Sequence, residues 1–417
     1  MTSSRSSSIN SKQEINKNIM KLSQFDYPLS SSQVALYPHG EERVVKNDKG
    51  EDTVFTLKRP DQCRMLVLHK KSGKITLYKT DSRGRALKDK DGKKQTLTLL
   101  DMFDYFKEDD AFIFNNTKVF PARMYATKEK TDARIEVFLL RELNQEMRLW
   151  DVLVEPARKI RIGNKLFFNE EGTLVAEVVD NTTSRGRTLR FLYDCPHEEF
   201  KRELFSLGQA PLPRYIIDHR GKDGTNDRPV TEDDFEDFQT VFAEVEGAVT
   251  APSTGLHFTR QMMKRLEIAG IKTGFATVHC SLGNFNPIEV EDLSKHKMDS
   301  EQMYVNKELC DVFNNTKREG HHVCAIGASV MKGLETCVGT DGYIKEYEGW
   351  TNKFIFPPYD FNSADSLLVN LYHPQSTMLM LTCAFGGYEN VMEAYKQALK
   401  AGFKVGCFGD VMLILND

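Results

Sequence analysis

At 417 residues the chain is long enough for two or three domains, each with a core of its own. Forty per cent apolar and 28% charged residues are ordinary for a globular protein, and a formal net charge of −4 excludes a chain that is basic throughout while allowing a local basic surface. No run of about eighteen apolar residues occurs, which excludes a helical membrane span.

Met1 to Asn18 is rich in Ser, Lys and Asn and has no apolar stretch, so residues 1–24 are expected to be a disordered arm and not a signal peptide. Phe25 to Pro38 is a short mixed segment. Gly40 to Lys58 is dense in charge and reads as a loop. Arg64 to His69 and Lys74 to Tyr78 read as two strands about the turn Lys71-Ser-Gly. Ser82 to Lys94 looks like a solvated insertion. Leu99 to Phe106 is expected to be a short helix, and Ala111 to Phe114 a strand that runs into Asn115-Asn116-Thr117.

The periodicity changes at Lys118. Arg134 to Leu139, Leu149 to Val154, Lys165 to Phe168, Leu174 to Val179 and Thr188 to Tyr193 are short strands at regular spacing, separated by Gly and polar turns. That pattern predicts a small antiparallel barrel or sandwich over Lys118 to Arg214. Arg158, Lys159, Arg161, Lys165, Arg185, Arg187 and Arg190 give it a basic side, either a solvated surface or a contact for a phosphate backbone.

Strands and helices alternate from Tyr215 onward, as in a mainly parallel or mixed α/β sheet. Gly247 to Phe258 packs Gly247, Pro252, Ser253, Gly255 and His257 into one short loop. Thr259 is placed to cap a helix over Arg260 to Ala269, Gly270 to stop it, and Ile271 to Val278 to form a buried strand that delivers His279. His322 to Ile326 is a strand turning at Gly327-Ala-Ser into a helix through Thr336. Lys353 to Phe356 and Ser366 to Leu371 read as strands. Ser376 caps an apolar helix through Phe385, Tyr388 to Lys400 is an amphipathic helix, and Phe408 to Leu415 closes the sheet. The expected fold class is α/β: a mixed-sheet α/β domain formed by residues 25–117 and 215–417, with a small antiparallel β-barrel inserted at 118–214.

Eight scattered cysteines form no Cys-x-x-Cys pair, so a zinc or redox site of that type is not expected, and the thiols read as those of a reduced, cytoplasmic protein. Cys280 is expected to be a buried, inert neighbour of His279. Gly-rich dinucleotide and phosphate-loop fingerprints are missing. His279, Ser329 and His373 follow strand ends, where α/β sheets gather ligands. Ser376-Thr377 and Ser253-Thr254 are candidate anion contacts at helix or loop starts. Ser329-Val-Met-Lys332 matches the Ser-x-x-Lys of penicillin-recognising hydrolases, and Lys272-Thr-Gly274 a second of their motifs, but the order is reversed and the third motif is missing.

The longer blocks are more specific. Phe25-Asp-Tyr-Pro-Leu, Arg64-Met-Leu-Val-Leu, Ala111-Phe-Ile-Phe-Asn-Asn-Thr-Lys-Val-Phe-Pro-Ala-Arg123, Pro211-Leu-Pro, Phe238-Gln-Thr-Val-Phe-Ala243, Gly247 to Phe258, Thr277 to Phe285, His296-x-x-x-Ser300-Glu301, Val369 to Phe385 and Phe408-Gly-Asp-Val-Met-Leu-Ile414 occur in this order. Together they resemble the S-adenosylmethionine:tRNA ribosyltransferase-isomerase family of queuosine biosynthesis over nearly the whole chain. The resemblance implies an α/β domain with an inserted β-barrel. It also implies a reaction in which S-adenosylmethionine, as substrate and not cofactor, gives its ribosyl moiety to 7-aminomethyl-7-deazaguanine in a tRNA anticodon loop. Epoxyqueuosine is formed and adenine and methionine leave, with no metal and no membrane involved. The sulfonium acidifies the C5′ hydrogens, so a general base is needed.

On this resemblance His279 and Glu301 are the candidate base and acid, with His257 a third catalytic candidate. Gln239, Ser253 and Gly255 are expected around the nucleoside, and Asn116, Arg123 and Lys332 at substrate or phosphate. Asn370, His373 and Ser376 complete the expected binding set. The chain departs from the family pattern inside its motifs: Phe238 and Phe242 replace tyrosines, Ser253-Thr254 replaces Thr-Ala, and Gly327-Ala328-Ser329 with Lys332 replaces Gly-Thr-Thr with arginine. Asn370-Leu-Tyr372-His373-Pro replaces Asn-Phe-His-Leu-Pro, Pro357-Pro-Tyr359 replaces Pro-Gly-Tyr, and His279-Cys-Ser-Leu-Gly283 replaces His-Val-Gly-Leu-Gly. A relative with the same fold that binds tRNA or a nucleoside without this reaction is the alternative reading.

Overall fold

The computed structural model describes residues 20–46, 52–222, 230–282 and 288–416. The arm expected over 1–24 lies almost wholly outside these residues, as do Gly283 to Phe285 at the end of one motif. The chain divides into two compact units. The first takes the described residues up to Asn115, Ser253–Ala276 and those from 288 on; the second takes those of Asn116–Pro252 and Thr277–Leu282. The second unit therefore runs well past the 118–214 expected for the barrel.

The first unit is built on a nine-stranded sheet in the order Tyr347–Thr351, Glu301–Val305, Lys272–Val278, Ala111–Asn115, Val323–Ile326, Ser366–Asn370, Val411–Leu415, Met65–His69, Ile75–Thr76. Lys272–Val278, Ala111–Asn115, Val323–Ile326 and Ser366–Asn370 run parallel. Ala111, Phe112, Ile113 and Phe114 are buried without exposed alternates, as a strand covered on both faces must be. Phe114 packs edge-on against Phe258 at 5.0 Å and stacks on Phe275 at 5.8 Å. Val411–Leu415 enters between Ser366–Asn370 and Met65–His69, antiparallel to the first and parallel to the second.

Local chemistry explains the helices. Thr259 Oγ1 accepts from the Met262 amide at 3.2 Å and opens the Arg260–Ile268 helix, which Gly270 ends with φ +68°. Ser376 Oγ does the same for the Thr377–Gly386 helix through the Leu379 amide, also at 3.2 Å.

Three expectations needed changing. Gly40 to Lys58 holds an antiparallel hairpin, Gly40–Lys46 with Asp52–Lys58, because the pairing partner lies only a few residues away and charge content does not forbid a ladder. Lys353 to Phe356 is not a strand. The strand is Tyr347–Thr351, fixed by antiparallel pairing to Glu301–Val305, a long-range partner that local periodicity does not reveal. The short helix expected over Leu99 to Phe106 is present, as the 3-10 helix Leu99–Tyr105. Val411–Leu415 is an interior strand and not the last to close the sheet.

The second unit contains a closed six-stranded antiparallel barrel: Lys165–Phe167, Val175–Asp180, Gly186–Leu192, Leu149–Glu155, Arg134–Asn144 and Arg123–Lys128. The five expected strands are all present, and Arg123–Lys128 joins them to close the circle. Trp150, Phe191, Ile135, Val137 and Leu166 fill the interior, and Phe200 and Leu204 of the His197–Ser206 helix pack onto the same core. A short parallel pair, Thr117–Val119 with Val245–Ala248, completes the unit.

Candidate active site

The parallel strands of the first unit are visited out of sequence. Ala111–Asn115 comes first in the chain, yet it lies between Lys272–Val278 on one side and Val323–Ile326 on the other. Such a reversal opens a crevice at the carboxyl ends of the strands on either side of it. Asn115 ends the first strand, and Gly327-Ala328-Ser329 leads from the second into the Ala328–Cys337 helix. Asn115 Nδ2 donates to Ser329 Oγ at 3.3 Å. Gly327 has φ +103°, a conformation that β-carbons disfavour, and this sharp turn aims the helix start at the crevice.

Two further segments converge there. The 3-10 turn Ser253–His257 is buried throughout, and a β-carbon built on Gly327 would meet Thr254 Oγ1 at 3.5 Å and Ser329 Oγ at 4.0 Å. The Tyr372 phenol lies beside the Ala328 amide and the Thr254 hydroxyl. Burial pushes this phenol up to about 12, so it stays a neutral donor at physiological pH. The result is a helix N-terminus ringed by three hydroxyls and an amide, suited to a carboxylate or the polar edge of a nucleoside.

His257 holds the turn in place. Its Nε2 accepts from Asn370 Nδ2 at 3.0 Å, and Asn370 Nδ2 also faces the carbonyls of Gly406 and Cys407 at 3.0 and 3.1 Å. The other ring nitrogen meets the Pro60 carbonyl, and burial drives the imidazole down to about 3. His257 is thus a neutral imidazole that ties the buried turn to Asn370.

Glu301 and Lys332 are both buried and form an ion pair, joining the Glu301–Val305 strand to the Ala328–Cys337 helix. Asp410 plays a comparable part that the sequence did not single out. Its carboxylate accepts from the Arg64 amide at 2.7 Å, the Arg64 guanidinium at 2.8 Å and the Lys404 amide at 2.7 Å, fixing the loop after Gly402. The signal was there, in the Phe408-Gly-Asp block, but a lone aspartate before a strand does not say what it will bind.

The second unit carries its own cluster. The His279 imidazole is half-buried, and its Nδ1 lies 2.8 Å from Thr117 Oγ1. The backbone of Gly247 lies against this ring: a β-carbon at 247 would fall 2.6 Å from Nε2. Asn116 braces the same region, accepting from Thr277 Oγ1 at 2.6 Å and donating to Glu244 at 3.1 Å.

A model of a family described as queuosine biosynthesis protein matches residues 22–414. The chain belongs to this family. Proteins named S-adenosylmethionine:tRNA ribosyltransferase-isomerase are 55% identical in Phocaeicola vulgatus and 53% in Bacteroides fragilis, each match covering 95% of this chain and 100% of the relative. A crystal structure of S-adenosylmethionine tRNA ribosyltransferase from Thermotoga maritima is similar at 25% identity and a TM-score of 0.47, covering 94% of this chain and 100% of that one.

Set against the family pattern, three of the departures meet in space. Thr254, the Gly327-Ala328-Ser329 turn and Tyr372 all lie at the one helix start. Tyr372 takes the position of the family histidine, and it is Tyr372, not His373, whose side chain reaches the Ala328 amide. His373 is only half-buried and contributes its carbonyl to Ser376 Oγ at 2.8 Å.

Other expected substrate contacts are engaged elsewhere. The Gln239 amide pairs with both the N–H and the carbonyl of Val119 at 3.0 Å, acting as a piece of extra strand. Arg123 is buried in the barrel, paired with Glu136, donating to the Leu212 carbonyl at 3.2 Å and lying over the Phe138 ring. Ser376 is fully used by its helix cap. In the Ser-x-x-Lys decoy, Lys332 faces Glu301 and Ser329 faces Asn115, so no serine-lysine nucleophile is assembled. Cys280 is buried, with its thiol 3.5 Å from the Val278 carbonyl.

Proposed function

We propose that the chain carries out the reaction for which its relatives are named, with S-adenosylmethionine as substrate and tRNA as acceptor. The ribosyl moiety is transferred and isomerised onto the aminomethyl group of 7-aminomethyl-7-deazaguanine in the anticodon loop, giving epoxyqueuosine, adenine and methionine. The observation that supports this most directly is the hydroxyl-ringed helix start at the reversal of strand order. It offers donors suited to the methionine carboxylate: the first-turn amides of the Ala328–Cys337 helix, Ser329, Thr254 and the neutral Tyr372 phenol. Ser253 and Gly255 belong to the same buried turn, with His257 and Asn370 holding it.

His279 is the base in this reading. With Nδ1–H donating to Thr117, Nε2 takes the C5′ proton that the sulfonium acidifies, and Gly247 fixes the plane of the ring. The sulfur leaves with the electron pair of its bond to C5′, as methionine. Glu301 and Lys332 act as a positioning pair that sets the helix and not as proton donors. The reading puts the protein where its tRNA is, in the cytoplasm; no helix among the described residues is long and apolar enough to cross a membrane. Incubation with S-adenosylmethionine and tRNA carrying the deazaguanine precursor should release adenine. A protein that binds both and releases none is not this enzyme.

A further inference from the structure

The cations of the second unit fall into two sets. Arg185 pairs with Glu155, Arg190 with Glu177, Arg214 with Glu136 and Glu155, Arg141 with Asp151 and Lys201 with Glu246. Arg187 is buried against the carbonyls of Ala157, Ile160 and Gly186, so it leaves the basic side expected from the sequence. Lys118, Arg134, Arg148 and Arg202 have no carboxylate partner among the described residues, and neither do six that gather in one place: Lys128, Lys130, Arg158, Lys159, Arg161 and Lys165. Of these six, all but Lys128 are exposed.

These six are brought together by the fold, not by sequence. They lie on two segments, 128–130 and 158–165, which clasp each other at one end of the barrel. The Glu129 amide donates to the Lys165 carbonyl at 3.0 Å, Lys128 Nζ donates to the Lys159 carbonyl at 2.8 Å, and Leu166 pairs with Lys128 across the closing seam. The acidic groups nearby are few. Glu129 and Asp132 belong to the first segment, Asp180 ends a neighbouring strand, and Glu177, opposite Lys165, is held by Arg190 at 2.7 Å. Ile162 stands 57% exposed among the cations.

We propose that this end of the barrel is a docking surface for the sugar-phosphate backbone of the tRNA, apart from the nucleotide that reacts. The proposal rests on the ribosyltransferase reading for the identity of its polyanion. On a chain of net charge −4, a cluster of six cations that outnumber the carboxylates beside them attracts a polyphosphate locally while the body repels it, which orients the encounter. Lysine and arginine on turns read phosphates by charge and not by sequence, so the surface should bind tRNA broadly and leave selection to the reacting site.

The test compares Lys159→Ala/Arg161→Ala/Lys165→Ala with a control that removes three exposed cations of the first unit, Lys264→Ala/Lys307→Ala/Lys396→Ala. Binding of unmodified tRNA is measured at several salt concentrations, and adenine release from S-adenosylmethionine with precursor tRNA is measured alongside. The barrel variant should bind tRNA about tenfold or more weakly at 0.1 M salt, and the slope of log affinity against log salt should fall by about 3. Its KM for tRNA should rise by the same factor while kcat and the affinity for S-adenosylmethionine hold. Equal loss in both variants, or no change of slope in the barrel variant, overturns the docking surface. Adenine release by the unaltered protein reports on the reaction itself, so an active enzyme with an unchanged slope defeats only this proposal.

Discussion

His257 is 2% exposed, its Nε2 facing Asn370 and its other nitrogen the Pro60 carbonyl, and burial keeps it neutral down to a pH of about 3. An unfolded histidine takes up its proton near pH 6.5. Between those two values the unfolded chain binds one more proton than the folded one, so stability falls as the pH drops below 6.5 and the fall levels off near 3. The contribution is about 1.4 kcal/mol per pH unit over that window. Urea unfolding of His257→Gln between pH 7 and 5 should therefore show a lower starting stability and a shallower acid slope, by up to one proton; matching slopes would count against the strut. His279 makes the opposite case. Replacing it by Gln should cost roughly 10²–10⁴ in adenine release with the fold intact, the usual worth of a general base. Tyr372→Phe removes the phenol from the Ala328 amide and should raise the KM for S-adenosylmethionine more than it lowers kcat, read from initial rates at saturating tRNA.

Between elements, each unit has one contact that decides how well its own cluster is held. The Glu301–Lys332 pair joins a strand to the helix whose start forms the crevice, and both partners are buried. Glu301→Ala strands a buried ammonium and should cost about 3–5 kcal/mol, whereas Glu301→Leu with Lys332→Met should recover most of the loss, since an apolar pair has no charge to desolvate. Denaturation of the two variants separates these outcomes. Gly247 holds its backbone against the His279 ring, and Gly247→Ala puts a β-carbon 2.6 Å from it. The ring must move, so adenine release should drop by on the order of 10²-fold, while the melting temperature shifts little. The elements themselves were readable where their causes are local. Thr259 and Gly270 bracket a helix by a cap and a left-handed stop, and the barrel strands alternate between polar turns. The strand Tyr347–Thr351 and the hairpin over 40–58 were not, because what makes them strands is a partner, in one case more than forty residues away. The same limit applied to the site. Histidines were visible as candidates, but only tertiary contacts tell a neutral strut at 257 from an oriented imidazole at 279, or show that Gln239, Arg123 and Asn116 are occupied by their own unit.

Across the whole molecule, motif order told more than any single residue. An α/β body with an inserted barrel was legible because each block keeps its place along the chain and the change of period at residue 118 is abrupt. The limits of the barrel's unit were not legible, since the described residues of 215–252 and 277–282 join it through contacts and not through periodicity. The strand Val411–Leu415 lies between Ser366–Asn370 and Met65–His69 and bonds to both along its length. During synthesis, Met65–His69 and Ile75–Thr76 are made early and then wait for these last residues before they can join the rest of the sheet. A nascent chain therefore exposes two bare strand edges until Val411–Leu415 has left the ribosome, a window in which aggregation competes with folding.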